Sequence, residues 1–383
     1  MKRILLAAVM PLLGLGAVPA QSLDDLNVQV HGYATQGFIY STKNNWNTTN
    51  SSKGTAAWTE AVLNVTAQPD PKVRLAVQGR YFLLGTYGNQ ITLDFASADF
   101  KLNEHFGLRA GKVKSPLSLL NESQDIDPAQ LWVLLPQSVY PIASRNTLLA
   151  HYGAVFYGKA NLSESLGTID YRAYGGQRFQ GSDDGYLQGL RDRGDTLPNG
   201  VTGPMSGVSL RWRSPLQGLI VGATVDSEQG SGTIVTPHFT GKLVGTYRYR
   251  PFYFAQYEHK KLMLAGEYSR LALRANLTFP GIPLIATRAD ERLFYVMGSY
   301  KLATKLTGGL YYSSAIDHEV KPSSRKYQKD WALSTRYDFN PFLYAKVEEH
   351  FVDGTLIGYS SSNNPNGLKP NTLMTFLKVG VSF

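Results

Sequence analysis

The last eleven residues of the chain alternate strictly between two kinds of side chain. Successive residues of a strand point to opposite faces, so the pattern predicts a strand with one face suited to lipid and the other to water or a polar interior. The first face holds Leu373, Thr375, Leu377, Val379, Val381 and Phe383. The second face holds Met374, Phe376, Lys378, Gly380 and Ser382.

Similar alternation recurs along the whole chain, in segments separated by turn residues. The pattern predicts an all-β, antiparallel, up-and-down transmembrane barrel of about sixteen strands, an even number as single-chain bacterial barrels require. The predicted strands are residues 28–41, 56–68, 72–84, 89–101, 105–114, 149–160, 167–178, 205–213, 218–227, 249–259, 261–275, 290–302, 305–315, 328–340, 342–353 and 372–383.

The connections between these segments alternate between short and long. Pro, Asn, Asp and Ser mark the short ones, as expected of tight reversals. Short turns at one end and longer external loops at the other are typical of a transmembrane barrel. The predicted long connections are residues 42–55, 115–148, 179–204, 228–248, 276–289, 316–327 and 354–371, with a short exception at 85–88.

Composition is consistent with this architecture. After the first twenty residues no apolar run approaches the roughly 20 residues that a membrane helix needs, so a membrane-spanning chain of this kind must be a closed barrel. The 23 Tyr, 17 Phe and 37 Gly residues suit interfacial girdles and bent strands. There are no cysteines, and the 38 basic residues are scattered singly, which argues against nucleic acid as a partner.

A soluble all-β sandwich or propeller is the competing interpretation, because alternation alone does not exclude it. Two features favour the barrel. The predicted strands run about ten to thirteen residues, longer than the usual five or six of soluble sheets. The apolar face also recurs around the entire chain. An Arg or Lys side chain that faces the middle of a bilayer costs about 2–4 kcal/mol, so these residues are expected on the inner face of a barrel.

The alternation predicts which charges line the interior. Fixed basic charges on the wall of a pore favour anions, although the same charges could instead pair across strands and only keep the lumen wet. The predicted inward acids are Glu60, Asp94, Asp170, Asp338 and Glu348. The predicted pore-lining basic residues are Arg74, Arg80, Arg109, Arg172, Arg211, Arg336, Lys346 and Lys378.

Residues 115–148, the third external loop, are unusually long for a connection, and such loops are usually functional. The apolar stretch 131–136 does not suit a solvated surface, which predicts a segment folded into the lumen as a constriction. The alternatives are a lid outside the barrel or a contact with a neighbouring subunit. Acidic Glu122, Asp125 and Asp127 are expected to face Arg109 or Lys112, and the predicted constriction residues also include Lys114 and Arg145.

Enzyme signatures are absent from the sequence. It contains no G-x-S-x-G elbow, H-E-x-x-H motif or Gly-rich phosphate loop. The seven histidines are dispersed, without metal-ligand spacing. The cluster Asp317-His318-Glu319 in a predicted external loop is the only group worth testing for catalysis. We therefore predict a protein without catalytic residues, cofactor or metal.

The two ends of the chain suggest export. Lys2 and Arg3, an apolar stretch and Val18-Pro19-Ala20 predict a signal peptide over residues 1–20, cleaved after Ala20, rather than a membrane anchor. Residues 21–383 then form one barrel domain. Removing residues 1–20 takes away two basic residues and no acid, so 36 basic and 29 acidic residues remain, a net charge of +7. The terminal strand ending on Phe383 resembles that of bacterial outer-membrane barrels, where the last residue is a membrane-insertion signal read by the assembly machinery.

The whole layout resembles a Gram-negative porin, and in particular the phosphate-selective porin O/P superfamily. The likeness rests on His31-Gly32-Tyr33, on the stretch 108–116 that enters the long loop, and on Phe383. It implies a sixteen-stranded barrel in the outer membrane, commonly a homotrimer, with outer-membrane lipids and the barrel-assembly machinery as partners. The sequence lacks the dense arginine ladder or lysine cluster that phosphate specificity would imply.

The predicted function is a passive diffusion channel for small hydrophilic solutes, with a weak preference for anions. A substrate-specific channel for a sugar or organic anion is the first alternative, with Tyr174, Tyr344 and Phe376 as inward aromatic residues. A barrel enzyme or an adhesin is the second.

Overall fold

Each of the sixteen predicted segments forms a strand. The computed structural model describes residues 26–48, 50–85 and 87–383. The predicted signal peptide, residues 1–20, lies outside these described residues. The strands are β1 (Gln29–Ser41), β2 (Thr55–Asp70), β3 (Val73–Leu84), β4 (Tyr87–Lys101), β5 (Gly107–Lys114), β6 (Ala150–Ser163), β7 (Gly167–Gln180), β8 (Val201–Arg213), β9 (Leu219–Val235), β10 (Thr240–His259), β11 (Leu262–Thr278), β12 (Ile285–Ala303), β13 (Leu306–Asp317), β14 (Tyr327–Asp338), β15 (Leu343–Gly354) and β16 (Asn371–Ser382).

Within the part of the chain that the structure describes, helical structure is confined to the connections. Two short α-helices are α1 (Arg145–Leu149) and α2 (Gln188–Arg191). Single 3₁₀ turns lie at Ser51–Lys53, Asp127–Ala129, Ile142–Ser144, Gly185–Leu187 and Ser324–Lys326. No helix within the described residues is long and apolar enough to cross a membrane.

The strands form one closed antiparallel barrel in which each strand pairs with its neighbours in the chain. Closure is made by β1 and β16, which pair from Tyr33 opposite Ser382 to Ser41 opposite Met374. At the end of this seam Gly32 and Phe383 exchange two main-chain hydrogen bonds, of 3.1 and 3.0 Å. The predicted closed up-and-down barrel of sixteen strands is confirmed.

One predicted loop is wrong, and a second, 276–289, is shorter than predicted because β11 ends at Thr278 and β12 begins at Ile285. Residues 228–248 lie mostly within β9 and β10, which remain paired up to Val235 opposite Thr240. The segment is rich in Gly, Ser and Thr and lacks clear apolar alternation, so its sequence resembles a loop. A ladder of main-chain hydrogen bonds does not require apolar side chains, and this hairpin therefore continues beyond the apolar part of the barrel.

The outer face of the barrel is apolar, as the alternation predicts. On β16, Leu373, Leu377, Val379 and Val381 are 37 to 51 % exposed, whereas Phe376 between them is fully buried. The side chains of Trp331 and Leu333 on β14 are exposed on the same outer face. An exposed apolar band of this kind would cost free energy in water and suits contact with lipid.

The connection from β5 to β6, residues 115–149, packs against strands that are distant from β5 and β6 in the barrel. Leu117, Trp132 and Tyr140 share one apolar cluster with Tyr295 of β12 and Tyr311 of β13. The ring of Trp132 meets that of Tyr311 edge-on, with centroids 5.1 Å apart. These contacts lie on the face of β12 and β13 opposite to the exposed side chains.

Candidate functional site

A buried carboxylate on β15 holds the middle of segment 115–148. The two oxygens of Glu348 accept hydrogen bonds from the main-chain N–H groups of Val133 and Leu134, at 2.8 and 2.9 Å. His350 lies 2.9 Å from the same carboxylate through Nε2 and 2.8 Å from Asp330 through Nδ1. Charged acceptors form the stronger class of hydrogen bond, so Glu348 is a firm attachment point.

A second buried carboxylate, Glu267 of β11, holds the beginning and end of the segment. It accepts hydrogen bonds from the N–H of Leu119 at 2.6 Å, from the Tyr295 hydroxyl at 2.7 Å and from the Tyr140 hydroxyl. Burial, together with the neighbouring carboxylate, raises the pKa of Tyr140 well above its usual value. Tyr140 therefore remains a hydrogen-bond donor across the physiological pH range.

Asp127 is held by two lysines on adjacent strands. Lys346 of β15 and Lys378 of β16 contact its carboxylate at 3.0 and 2.8 Å, and the Tyr344 hydroxyl donates to it at 2.7 Å. Lys346 also donates to the carbonyl oxygen of Trp132 at 3.1 Å. Burial alone would raise the pKa of Asp127, but the two ammonium groups outweigh it and hold this pKa well below its usual value.

Two arginines donate to main-chain carbonyls of the same segment. Arg336 of β14 bonds the carbonyl oxygens of Pro128 and Gln130, the latter at 2.9 Å, and also pairs with Asp338. Arg211 of β8 bonds the carbonyl oxygen of Ser118 at 2.8 Å. Side chains from β8, β11, β14, β15 and β16 thus bind different parts of one connection.

Paired charges also lie on strands β2 to β5, away from these attachment points. Arg80 contacts Glu60 at 2.6 Å, and both are buried. Arg145 forms a two-point ion pair with Asp94, at 2.8 and 2.9 Å. Lys114 contacts Asp125 at 2.7 Å.

Three guanidinium groups surround one carboxylate. Glu122 lies 3.3 Å from Arg172 and 3.8 Å from both Arg109 and Arg211. Arg109 has a second acid, Asp99, at 2.9 Å. The group holds three positive and two negative charges, which leaves an excess of one positive charge.

Three cavities follow one another along this arrangement. The largest, of about 540 Å³, is lined by Arg74, Arg109 and Glu122 on the side of the short turns. The smallest, of about 50 Å³, is lined by Glu60, Arg80, Asp127, Arg145 and Lys378, and we call it the neck. The third, of about 280 Å³, lies among the long connections. Tyr33 borders both the first cavity and the neck, and Gln137 borders both the neck and the third cavity.

Lys112 does not join the acids, contrary to expectation. It lies three residues after Arg109 on β5 and therefore on the other face of the strand. Its ammonium group contacts the exposed ring of Tyr152, at 5.4 Å from the centroid, and the carbonyl oxygen of Leu93. Lys114 has the same parity as Lys112, but it lies at the end of β5, beyond the last β4–β5 pair, and its ammonium group contacts Asp125.

The remaining predicted residues have structural partners. Asp170 pairs with Arg213 at 2.6 Å. Tyr174 and Phe376 are buried in two separate apolar clusters. In the cluster 317–319, Asp317 accepts main-chain hydrogen bonds from residues 290 and 319, an arrangement typical of a turn.

Sequence reasoning missed Glu267, His350, Tyr33 and Gln137. The contact between Tyr140 and Glu267 joins residues 127 positions apart, and those of Glu348 join residues more than 200 apart. Alternation can assign such a residue to a face of its strand, but no local pattern indicates which distant residue it meets.

No family model matches the chain, and no curated protein matches it. Solved structures do. The anion-selective porin from Comamonas acidovorans superposes with a TM-score of 0.57 at 12 % identity, over 93 % of this chain and 99 % of that one. The trimer form of OmpT, an outer-membrane protein of Vibrio cholerae, gives 0.56 at 12 %, over 93 % and 99 %. The outer-membrane channel DcaP of Acinetobacter baumannii gives 0.53 at 12 %, over 95 % and 99 %. At this identity the likeness concerns the fold alone: the chain has the sixteen-stranded barrel fold of outer-membrane porins.

Proposed function

We propose that this chain is an outer-membrane porin, a passive diffusion channel for small hydrophilic solutes. The observation that carries the proposal is the succession of three cavities, of about 540, 50 and 280 Å³, with shared lining residues at each junction. The strands contribute Tyr33, Glu60, Arg80 and Lys378 to the narrow middle cavity, and segment 115–148 borders it with both polar and apolar residues, while the outer face of the strands is apolar. A water-filled path enclosed by a lipid-facing wall is what passive diffusion across a membrane requires.

Segment 115–148 forms the constriction in this proposal. Its support is the set of attachments to Glu267, Arg336, Lys346 and Glu348, all on strands β11 to β15. The segment would cover those strands from inside and leave the passage between itself and the wall of β1 to β4. Gln124, Asp127 and Gln130 of the segment line the neck, as does the charged pair Arg80–Glu60 of the wall.

The proposed selectivity is a weak preference for anions. Around Glu122 there is an excess of one positive charge. Three basic residues line the neck, Arg80, Arg145 and Lys378, against two acids, Glu60 and Asp127, which again leaves an excess of one positive charge. Because most of these charges are paired, the net field on a passing ion is small, and the preference should be modest. Membership of the phosphate-selective group remains a prediction from resemblance.

Assembly as a homotrimer in the outer membrane is part of the proposal, with lipids and the assembly machinery as partners. The outer face near the β1–β16 seam carries polar pairs: Glu349 with Thr375 at 3.0 Å, and Gln36 with Thr59 at 2.8 Å. A carboxylate among apolar neighbours is costly in lipid and better placed in a contact between subunits. Cross-linking in native membranes should yield trimers, and monomers alone would contradict this assembly.

A substrate-specific channel is the second candidate. One observation favours it: Tyr87, Tyr186 and Tyr359 line the 280 Å³ cavity together with Asp192 and Glu291. Aromatic rings beside hydrogen-bonding groups are suited to sugars. Saturable block of ion current by an oligosaccharide would support this candidate, and no block at any concentration would exclude it.

Single-channel recording in a planar bilayer, with the reversal potential measured under a salt gradient, tests the primary proposal. We expect open steps and a small anion-favouring potential. Arg109→Glu should shift that potential toward cations. Lys112→Glu makes the same change of charge on the outer face of the same strand, so it should leave the potential unchanged. Absence of conductance would contradict the porin, and equal shifts in both variants would contradict a role for the interior charge.

A further inference from the structure

The outer face of β11 and β12 carries two pairs of arginines placed directly opposite each other. Arg270 pairs in register with Arg292, and Arg274 with Arg288. All four side chains are exposed, and they alternate onto the same face as Tyr268 and Phe294. They lie toward the end of the strands that carries the long connections.

This placement is unfavourable without a partner. Like charges directly opposite on neighbouring strands repel each other and destabilise the sheet. Asp290, which contacts Arg270 at 2.7 and 3.0 Å, is the only acid paired with these four arginines within the described residues. Four guanidinium groups and one carboxylate leave an excess of three positive charges on a small area.

An apolar groove begins where the arginines end. It is shallow, has a volume of about 840 Å³ and faces outward between β7 and β12. The bottom of the groove is formed by residues with little or no side chain, Gly222, Ala255 and Gly266. Aromatic side chains, including Tyr268 and Phe294, line it. Tyr268 lies two residues from Arg270 on β11, and Phe294 two residues from Arg292 on β12, so groove and arginines form one continuous surface.

We propose that this surface binds a membrane lipid whose headgroup carries phosphate. Acyl chains lie in the groove, and phosphate oxygens accept bidentate hydrogen bonds from the arginine pairs. The two pairs are four residues apart, about 13 Å along the strand, which is enough for two phosphate groups. The inference rests on the proposed insertion of the barrel in a membrane, but it does not depend on conduction.

The test measures lipid binding to the purified barrel in uncharged detergent by native mass spectrometry. The probes are phosphatidic acid and diacylglycerol with the same acyl chains, which differ only in the phosphate. We expect phosphatidic acid to bind at least about tenfold more tightly. The double variant Arg274→Gln/Arg288→Gln should lose about tenfold or more of that affinity, whereas Lys329→Gln, an exposed basic residue two strands away on β14, should lose none.

A groove variant separates a lipid site from a simple anion site. Ala255→Phe should weaken the binding of phosphatidic acid without changing the affinity for inorganic phosphate. Equal binding of the two lipids, or unchanged binding in the arginine double variant, would overturn the inference. Inorganic phosphate that binds as tightly as phosphatidic acid would also overturn it, because the acyl chains would then contribute nothing.

Single-channel conductance of the same preparations distinguishes the two proposals. A conducting barrel that does not prefer phosphatidic acid refutes the lipid site and leaves the porin intact. A barrel that prefers phosphatidic acid but does not conduct supports the lipid site and refutes the porin.

Discussion

Replacing Glu348 by alanine should release the middle of segment 115–148. The carboxylate accepts hydrogen bonds from the N–H groups of Val133 and Leu134, and all three residues are buried. Each buried donor left without an acceptor costs about 1–3 kcal/mol, so the two together cost about 2–6 kcal/mol. A cost of about 4 kcal/mol raises the ratio of detached to attached segments by roughly a thousandfold.

The expected result is a wider and less steady channel. If the segment forms the constriction, Glu348→Ala should show larger single-channel steps and more current noise than the wild type, together with a lower thermal unfolding temperature. Glu348→Gln should fall between the two, since its amide oxygen still accepts one of the two hydrogen bonds.

The control is Asp353→Ala, which removes a carboxylate from the same strand. Asp353 accepts a hydrogen bond from the Tyr327 hydroxyl at 3.0 Å and should leave conductance unchanged. Unchanged conductance and unfolding temperature in Glu348→Ala would refute the reasoning. An equal effect in both variants would show that loss of any acid on β15 produces it.

Three further predictions concern the segment and the outer face. A Cβ at Gly309 would come within 2.5 Å of Leu131, so Gly309→Ala should displace the segment and cost about 1–3 kcal/mol of unfolding free energy, whereas Gly79→Ala, with open space around it, should cost far less. Because the pKa of Asp127 is lower in the folded state, its contribution to stability is present above the unfolded pKa of about 4 and is lost as pH falls toward the folded value. Unfolding measured from pH 5 to pH 2 should therefore be less acid-sensitive in Asp127→Asn, and identical pH profiles would contradict the role of this ion pair. Glu349→Leu should raise the fraction of monomer on mild detergent electrophoresis if the residue lies between subunits, and an unchanged trimer fraction would place it elsewhere.

The charged residues illustrate how far the sequence reaches. Alternation assigned Arg80, Arg211, Lys346 and Lys378 to the buried face of their strands, and each has its partners there. Alternation also places Lys112 on the face opposite to Arg109, where it lies, so the expectation that it meets the acids of the loop, which rests on proximity in sequence, is wrong. Attachments such as Glu267 were invisible for a different reason: the partner residue lies far away in the sequence.

The sequence by itself determined the closed barrel, the number of strands and the face on which each strand is apolar. These follow from a period of two residues and from turn residues, which act over short stretches of chain. The tertiary structure alone decided where segment 115–148 is attached, which charges meet around the neck and how the arginines of β11 and β12 come to face each other. Register and closure bring together residues separated by up to a few hundred positions, and the free energy of those contacts depends on the whole barrel.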